Sequence, residues 1–399
     1  MKKIPTPFLS RIGLAALLPM LIIAPQAKAD AEDTFLVTAG VSVLHDDNVF
    51  RKPPGAAEAD VVSVSTLGIK VDKAYSLQRF ELDATLADHR YQTHDKNNFT
   101  ALDYVAAWRW SLTPFFHGNL SSARTEVSNN TYLTPQAGTH TEERQRLDGV
   151  LEVSGSWRVL GGVTRSTLTN SNPSSAESTL PNNNASGSDG DGRLHSAEAG
   201  LRYDFPSGSS LSYIARESRG NETIQVEPNR GTLRFSQHED ELHLIWPITA
   251  KSTIDARAAY LARTYADDDA RDYDGMIGNV NVNWQITGKT SLTAGVAREL
   301  SGYQSDDSRF KTNRFTLSPL WKMSEKTGLR GRYDYIWRDY RGGSIDHLDK
   351  QRTALIALEW KALRTLTVSA SLQHDRRSSN QPSLDFKSTQ AGIAAQLAF

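Results

Sequence analysis

The chain has 399 residues, with 45 Lys or Arg against 46 Asp or Glu, 38% hydrophobic residues and no cysteine. That length accommodates two or three ordinary domains or one large β-barrel. A net charge of -1 gives no basic surface for nucleic acid, and a chain without cysteine forgoes disulfides.

The first 29 residues read MKKIPTPFLSRIGLAALLPMLIIAPQAKA. Lys2, Lys3 and Arg11 form a basic start, Gly13 to Pro25 a short apolar core, and Ala27-Lys28-Ala29 a small-residue cleavage pattern. This predicts a secretory signal peptide over 1–29, cleaved near Ala29, followed by one domain over 30–399. The leader holds four cations and no acid, so the mature chain has 41 basic against 46 acidic residues, a net charge of -5. Beyond the leader there is no run of about twenty apolar residues, and hence no transmembrane helix. A closed β-barrel can still span a membrane, because every backbone group is paired within the sheet.

Alternation with a period of two runs along the rest of the chain. Phe35, Val37, Ala39, Val41 and Val43 are the first apolar row; Leu102, Tyr104, Ala106, Trp108 and Trp110 are a later one. Met276, Gly278, Val280, Val282, Trp284 and Ile286 oppose Asn279, Asn281, Asn283 and Gln285. This period predicts strands. They fall near 34–44, 61–72, 78–91, 99–112, 114–126, 142–156, 158–170, 193–205, 209–219, 235–247, 251–264, 273–287, 289–301, 309–322, 326–340, 350–362, 364–375 and 387–399. The fold class is therefore all-β: a transmembrane antiparallel barrel of about eighteen strands. A β-sandwich would also alternate, with shorter strands.

The connections alternate in length. Residues 45–60, 127–141, 171–192 and 220–234 are long and rich in Asn, Ser, Gly, Pro and Asp, whereas those near 112–114, 156–158, 206–208, 287–289 and 362–364 are tight. Long extracellular loops opposite short periplasmic turns are the outer-membrane pattern. The stretch 171–192 is of low complexity and predicts a mobile loop that could gate the mouth. Trp108, Trp110, Trp157, Tyr203, Phe205, Trp246, Trp284, Trp321, Trp337 and Trp360 lie near strand ends, as interfacial aromatic girdles do. The chain stops on Phe399, in mid-alternation. In a barrel the last strand pairs with the first, so no sheet edge is left, and a terminal aromatic resembles the signal read by the outer-membrane assembly machinery.

The faces opposite the apolar rows are charged. The candidates for solute contact in the lumen are Arg202, Arg216, Arg257, Arg263, Arg314, Arg330, Arg332, Asp334 and Arg338. Guanidinium groups bind carboxylates in pairs of hydrogen bonds, and rings of them select anions; acid–base pairing that merely stabilises a wet lumen is the plainer reading of each. No catalytic elbow, zincin, P-loop or dinucleotide motif is present, so neither enzyme activity nor cofactor is expected. A lipid hydrolase would need Ser and His together at the rim, for which His117 with Ser121 or Ser122 is the candidate pair. Residues 266–275 and 187–192 are acidic enough for weak calcium binding, though plain turns share that composition.

The opening DTFLVTAGVSVLHDDNVFRKP (33–53) resembles the EpsL-type proteins of exopolysaccharide biosynthesis operons, outer-membrane barrels of Gram-negative bacteria. The resemblance implies export of an exopolysaccharide, anionic or rich in hydroxyls, from a periplasmic export partner through the outer membrane. Under it Asp46, Asp47 and Asn48 open an extracellular turn and Phe50 sits at the outer interface. The residues alone leave two alternatives: a general or solute-specific porin, and, third, an outer-membrane hydrolase. Outer-membrane lipid is a partner under all of them.

Overall fold

The alternating segments form one closed sheet in the computed structural model, which describes residues 34–128, 138–171, 191–226, 229–301, 309–341 and 347–399. The expected leader over 1–29, and residues 172–190 of the low-complexity stretch, lie outside these. The strands are β1 (Phe35–Asp46), β2 (Asp60–Tyr75), β3 (Gln78–Tyr91), β4 (Phe99–Thr113), β5 (Phe116–Ser128), β6 (Thr139–Ser154), β7 (Trp157–Ser171), β8 (Gly192–Asp204) and β9 (Ser210–Val226). They continue with β10 (Asn229–Thr249), β11 (Ser252–Tyr265), β12 (Tyr273–Gln285), β13 (Thr290–Ser301), β14 (Arg309–Lys322), β15 (Thr327–Arg341), β16 (His347–Lys361), β17 (Leu366–Ser379) and β18 (Phe386–Ala398). Each pairs antiparallel with its successor, and β18 pairs with β1 across Val41↔Ala395 and Asp46↔Gln390. The sheet is a barrel of eighteen strands with no free edge, the form in which strands can cross hydrocarbon.

One expected loop is mostly strand. Residues 220–234 were polar enough to predict a long connection, yet β9 runs to Val226 and β10 starts at Asn229. Above the membrane both faces of a hairpin meet water, so pairing continues without an apolar row to mark it. Close approach helps to hold this hairpin. The Phe235 ring lies over Gly220, where a Cβ would come within 2.4 Å of it.

The start of β1 and the end of β18 share one end of the barrel with the tight turns, such as Ser76-Leu77 between β2 and β3 and Gly155-Ser156 between β6 and β7. Ser76 and Gly155 take positive φ, 53° and 37°, as two-residue hairpins require. Chain closure is made at this end, where Val37 N donates to Phe399 O at 3.1 Å and Phe399 N to Val37 O at 2.9 Å.

The two faces segregate as the alternation predicts. Val41 is 61% exposed and Ile393 66%, on the outer face, while inward Ser42 and Gln390 are buried. The girdle is lopsided. Trp108, Trp110, Trp157, Tyr203, Phe205, Trp246, Trp284, Trp321 and Trp360 all fall at the tight-turn end, and of the ten aromatics only Trp337 falls toward the loops.

Within that girdle the Trp110 indole crosses Gly118, where an added Cβ would lie 2.4 Å from the ring and 2.0 Å from Asp148 O; at Gly149 the nearest atoms are an ordinary 3.5 Å away. Gly118→Val is expected to lower stability by about 1–3 kcal/mol through overpacking, while Gly149→Ala is near neutral. Urea unfolding in detergent micelles measures both, and equal midpoints would contradict the packing described.

Candidate functional site

The register turns the inward rows into a lumen wall. Residues of like face on β6 to β11 bring Arg146, Glu198, Arg216, Glu239, Glu241 and Arg257 together. Arg216 donates to Glu198 at 2.9 Å and to Glu239 at 2.7 Å, and lies 3.5 Å from Glu241. Arg257 donates to Glu241 at 2.7 Å and also pairs with Glu239. Arg146, on β6, pairs with Glu198 on β8, reaching across β7 at Gly162, where a Cβ would come 3.1 Å from the Glu198 carboxylate. Glu239 and Glu241 are only 4% and 6% exposed. Acids buried to that degree hold their charge only when cations and hydrogen bonds compensate it, and here the two arginines do so.

A second network lines β14 to β18. Asp334, 1% exposed, accepts from Thr316 at 2.7 Å and Arg332 at 2.6 Å. Asp375 accepts from Thr353 at 2.6 Å and Gln373 at 2.8 Å. Arg377 pairs with the fully buried Asp349, and Arg338 donates to Gln351 at 3.2 Å.

The first loop, residues 47–59, folds inward onto this wall. Val49 and Phe50 pack with Leu44, Val62, Val64 and Tyr91, all on the inner side of β1 to β3. Phe50 is 3% exposed and meets the His94 ring edge-on at 4.8 Å. The expectation that Phe50 sits at the outer interface is therefore corrected: with Leu44, Val62 and Val64 inward, the apolar surface it can cover lies inside.

Asp46 fixes the loop. It accepts from Asn48 N at 2.9 Å, Arg51 Nη1 at 2.7 Å, Ser388 Oγ at 2.8 Å and Gln390 Nε2 at 2.9 Å. The Asn48 amide donates to Lys52 O at 2.8 Å and Lys387 O at 2.9 Å. Arg51, with φ 55°, also comes within 3.9 Å of Asp375. Farther along the loop, Glu58 pairs with Lys52 and lies 3.1 Å from His94; the hydrogen bond from Lys52 holds its carboxyl below the ordinary value.

All nine candidates drawn from the sequence face the lumen, but not as one column. Arg216 and Arg257 join the β6–β11 network, and Arg332, Asp334 and Arg338 the β14–β18 one. Arg202 pairs with Asp204 at 2.6 Å and Arg330 with Glu359 at 3.3 Å, nearer the tight-turn end. Arg263 donates to Gln237 at 3.0 Å and stacks 4.3 Å over Phe235. Arg314 stands between Ala297 and Ile336, and its buried Nε has no partner among the described residues. The acids Glu198, Glu239, Glu241, Asp349 and Asp375 escaped the sequence reading. On β10 the stretch SQHEDELHL is polar on both faces, so only its continuation into Leu242, Leu244 and Trp246 could have marked the inner row.

The hydrolase pair is not assembled. His117 shares the inner face with Ser121 but donates to no serine, and Ser122 points outward, 3.3 Å from the Tyr104 hydroxyl. In 266–275 Asp268 pairs with Arg271 and Asp272 accepts from Tyr265 N. No metal-holding group of three or more His, Asp or Glu occurs among the described residues. Residues 187–190 lie outside them.

A family model described as "Putative beta-barrel porin 2" matches residues 247–399. The solved OccK9 (OpdG) of Pseudomonas aeruginosa is 12% identical over 92% of this chain and 98% of its own, with TM-score 0.50. The outer membrane protein OpdK of the same organism is 13% identical over 92% and 99%, TM-score 0.48, and OccK2 (OpdF) in complex with glucuronate 13% over 92% and 98%, TM-score 0.48. At such identity the OccK9 likeness is one of fold. No curated protein matches.

The chain is thus an outer-membrane barrel of Gram-negative type. The expectation of exopolysaccharide export is corrected: the family model that matches residues 247–399 is described as a porin. The motif behind that expectation, Asp46 to Arg51, has a structural use as the latch of an in-folded loop.

Removing the latch has a defined outcome. Phe50→Ala is expected to free the loop, raise single-channel conductance, and open the Arg51–Lys52 bond to trypsin, whereas in the wild type that bond should stay protected. Because Glu58 is ionised at lower pH when folded, its share of the latch is present above pH 4.5 and lost as pH falls below it. Conductance noise should rise on acidification through that range, and less so in Glu58→Gln.

Proposed function

We propose that the protein is a passive porin for small hydrophilic solutes. The observation that supports it most is a closed barrel of eighteen strands whose inner face carries both signs of charge. Barrels of about 16–18 strands are wide enough for an aqueous channel. The first loop narrows that channel from the β1–β3 side, next to the β14–β18 network.

Solutes would meet Arg202, Arg216, Arg257, Arg263, Arg314, Arg330, Arg332, Asp334 and Arg338 as a set of weak contacts. Conduction needs each contact to be weak enough to release its solute, and an arginine already shared with a carboxylate satisfies that. Arg314 differs from these in having no carboxylate partner among the described residues, which leaves its charge available to a solute. A solute bearing both hydroxyls and charge fits a wall of paired acids and bases better than a simple anion does. The same reading makes 1–29 the cleaved leader, 30–399 the barrel, and Phe399 its assembly signal; it involves no catalysis and no cofactor.

Swelling of proteoliposomes tests the reading: mono- and disaccharides should enter, and absence of both swelling and conductance would overturn it. Ion selectivity tests the wall. Arg216→Gln with Arg257→Gln leaves Glu239 and Glu241 uncompensated, while Glu198 keeps Arg146, so the ratio of cation to anion permeability should rise by about two-fold or more. Glu239→Gln with Glu241→Gln should move the reversal potential the opposite way.

A further inference from the structure

The loop-end belt of the outer face carries more cations than acids, although the chain as a whole is slightly acidic. Most acids there are compensated. Asp88 pairs with Arg90 at 2.8 Å, Glu126 and Glu143 with Arg124 at 3.0 and 3.3 Å, and Glu217 and Asp240 with His238 at 2.6 and 2.9 Å. Asp47 accepts from Thr389 N, and Asp339 lies one row nearer the rim, opposite Lys311.

The cations left over are aligned by register. Arg352 on β16 stands opposite Arg376 on β17, which stands opposite Lys387 on β18. Lys350 is next along β16. All four are exposed, and none has a carboxylate partner among the described residues. The row starts beside Tyr335, over whose ring the Arg352 guanidinium lies at 5.6 Å, and runs toward the rim. A shorter echo, Arg165, His195 and Arg219, crosses β7 to β9.

These side chains point at lipid, not at the lumen. A charge on the lipid-facing side of a barrel is tolerated near the interface and costly at the midplane, so this row lies at headgroup depth in the outer leaflet. Three adjacent cations without protein counter-charges, above apolar Ile356, Leu372 and Ile393, match a lipid with phosphates on its headgroup. We propose that the outer face of β16–β18 is a docking site for a phosphorylated lipid of the outer leaflet. Arg352, Arg376 and Lys387 grip its phosphates, and the apolar rows below take its acyl chains.

Native mass spectrometry of the intact barrel in detergent tests this, with diphosphorylated lipid A as the probe. The wild type should retain it, and Arg352→Gln/Arg376→Gln/Lys387→Gln should bind it about ten-fold more weakly or worse, with unchanged conductance. Arg90→Gln, which removes a paired cation, should bind as the wild type does. Equal binding by the triple variant, or equal binding of lipid A stripped of its phosphates, overturns the proposal. Saturation of the row by inorganic phosphate as tightly as by the lipid would assign it to a free anion and overturn it too.

Discussion

Everything in this molecule hangs on the seam between β18 and β1. A sheet in hydrocarbon cannot leave a row of unpaired amides, because each would cost several kcal/mol without water to bond it. The two strands are far apart in the chain, yet they pair from Thr38↔Ala398 to Asp46↔Gln390. Phe399 ends the ladder at one end through its own backbone. At the other end side chains take over, since Asp46 gathers Ser388 and Gln390 from across the seam. The same carboxylate holds Arg51, so the seam and the in-folded first loop share one anchor.

Closure also sets the electrostatics of the lumen. Once the strands are in register, arginines and carboxylates from non-neighbouring strands meet over the inner face, as Arg146 does with Glu198 beyond Gly162. Removing one member of such a buried group leaves the others unpaired, a change that typically costs about 3–5 kcal/mol. The wall is therefore nearly neutral in each patch. That suits a channel, in which a solute must exchange one weak contact for the next without a deep well. It differs from a column of free arginines, which would hold an anion in place.

The outer face obeys a different solvent. At the tight-turn end it ends in a girdle of indoles, as expected where a bilayer meets water. At the loop end aromatic side chains are sparse, and cations on β16 to β18 occupy the corresponding depth. The two interfaces of one barrel thus carry different chemistry, matched to two leaflets of different headgroups.

The alternation in the sequence was sufficient to read the strands, the all-β class, the outward rows and the inward arginines. The reason is physical: one face of every strand meets hydrocarbon, and a slip of one residue would turn that whole row into the lumen. The tight turns and the terminal Phe399 were legible for the same reason, being the places where the row must stop. Which acid meets which arginine was not legible, because it depends on registers between strands far apart in the chain. Asp46 and Ser388 are 342 residues apart. Nor could alternation show that β9 and β10 extend past the membrane, where water on both sides removes the pattern, or that Phe50 turns inward. A loop residue has no face of its own, and only the closed barrel, with Leu44, Val62, Val64 and Tyr91 brought side by side, supplies the apolar surface that decides its direction.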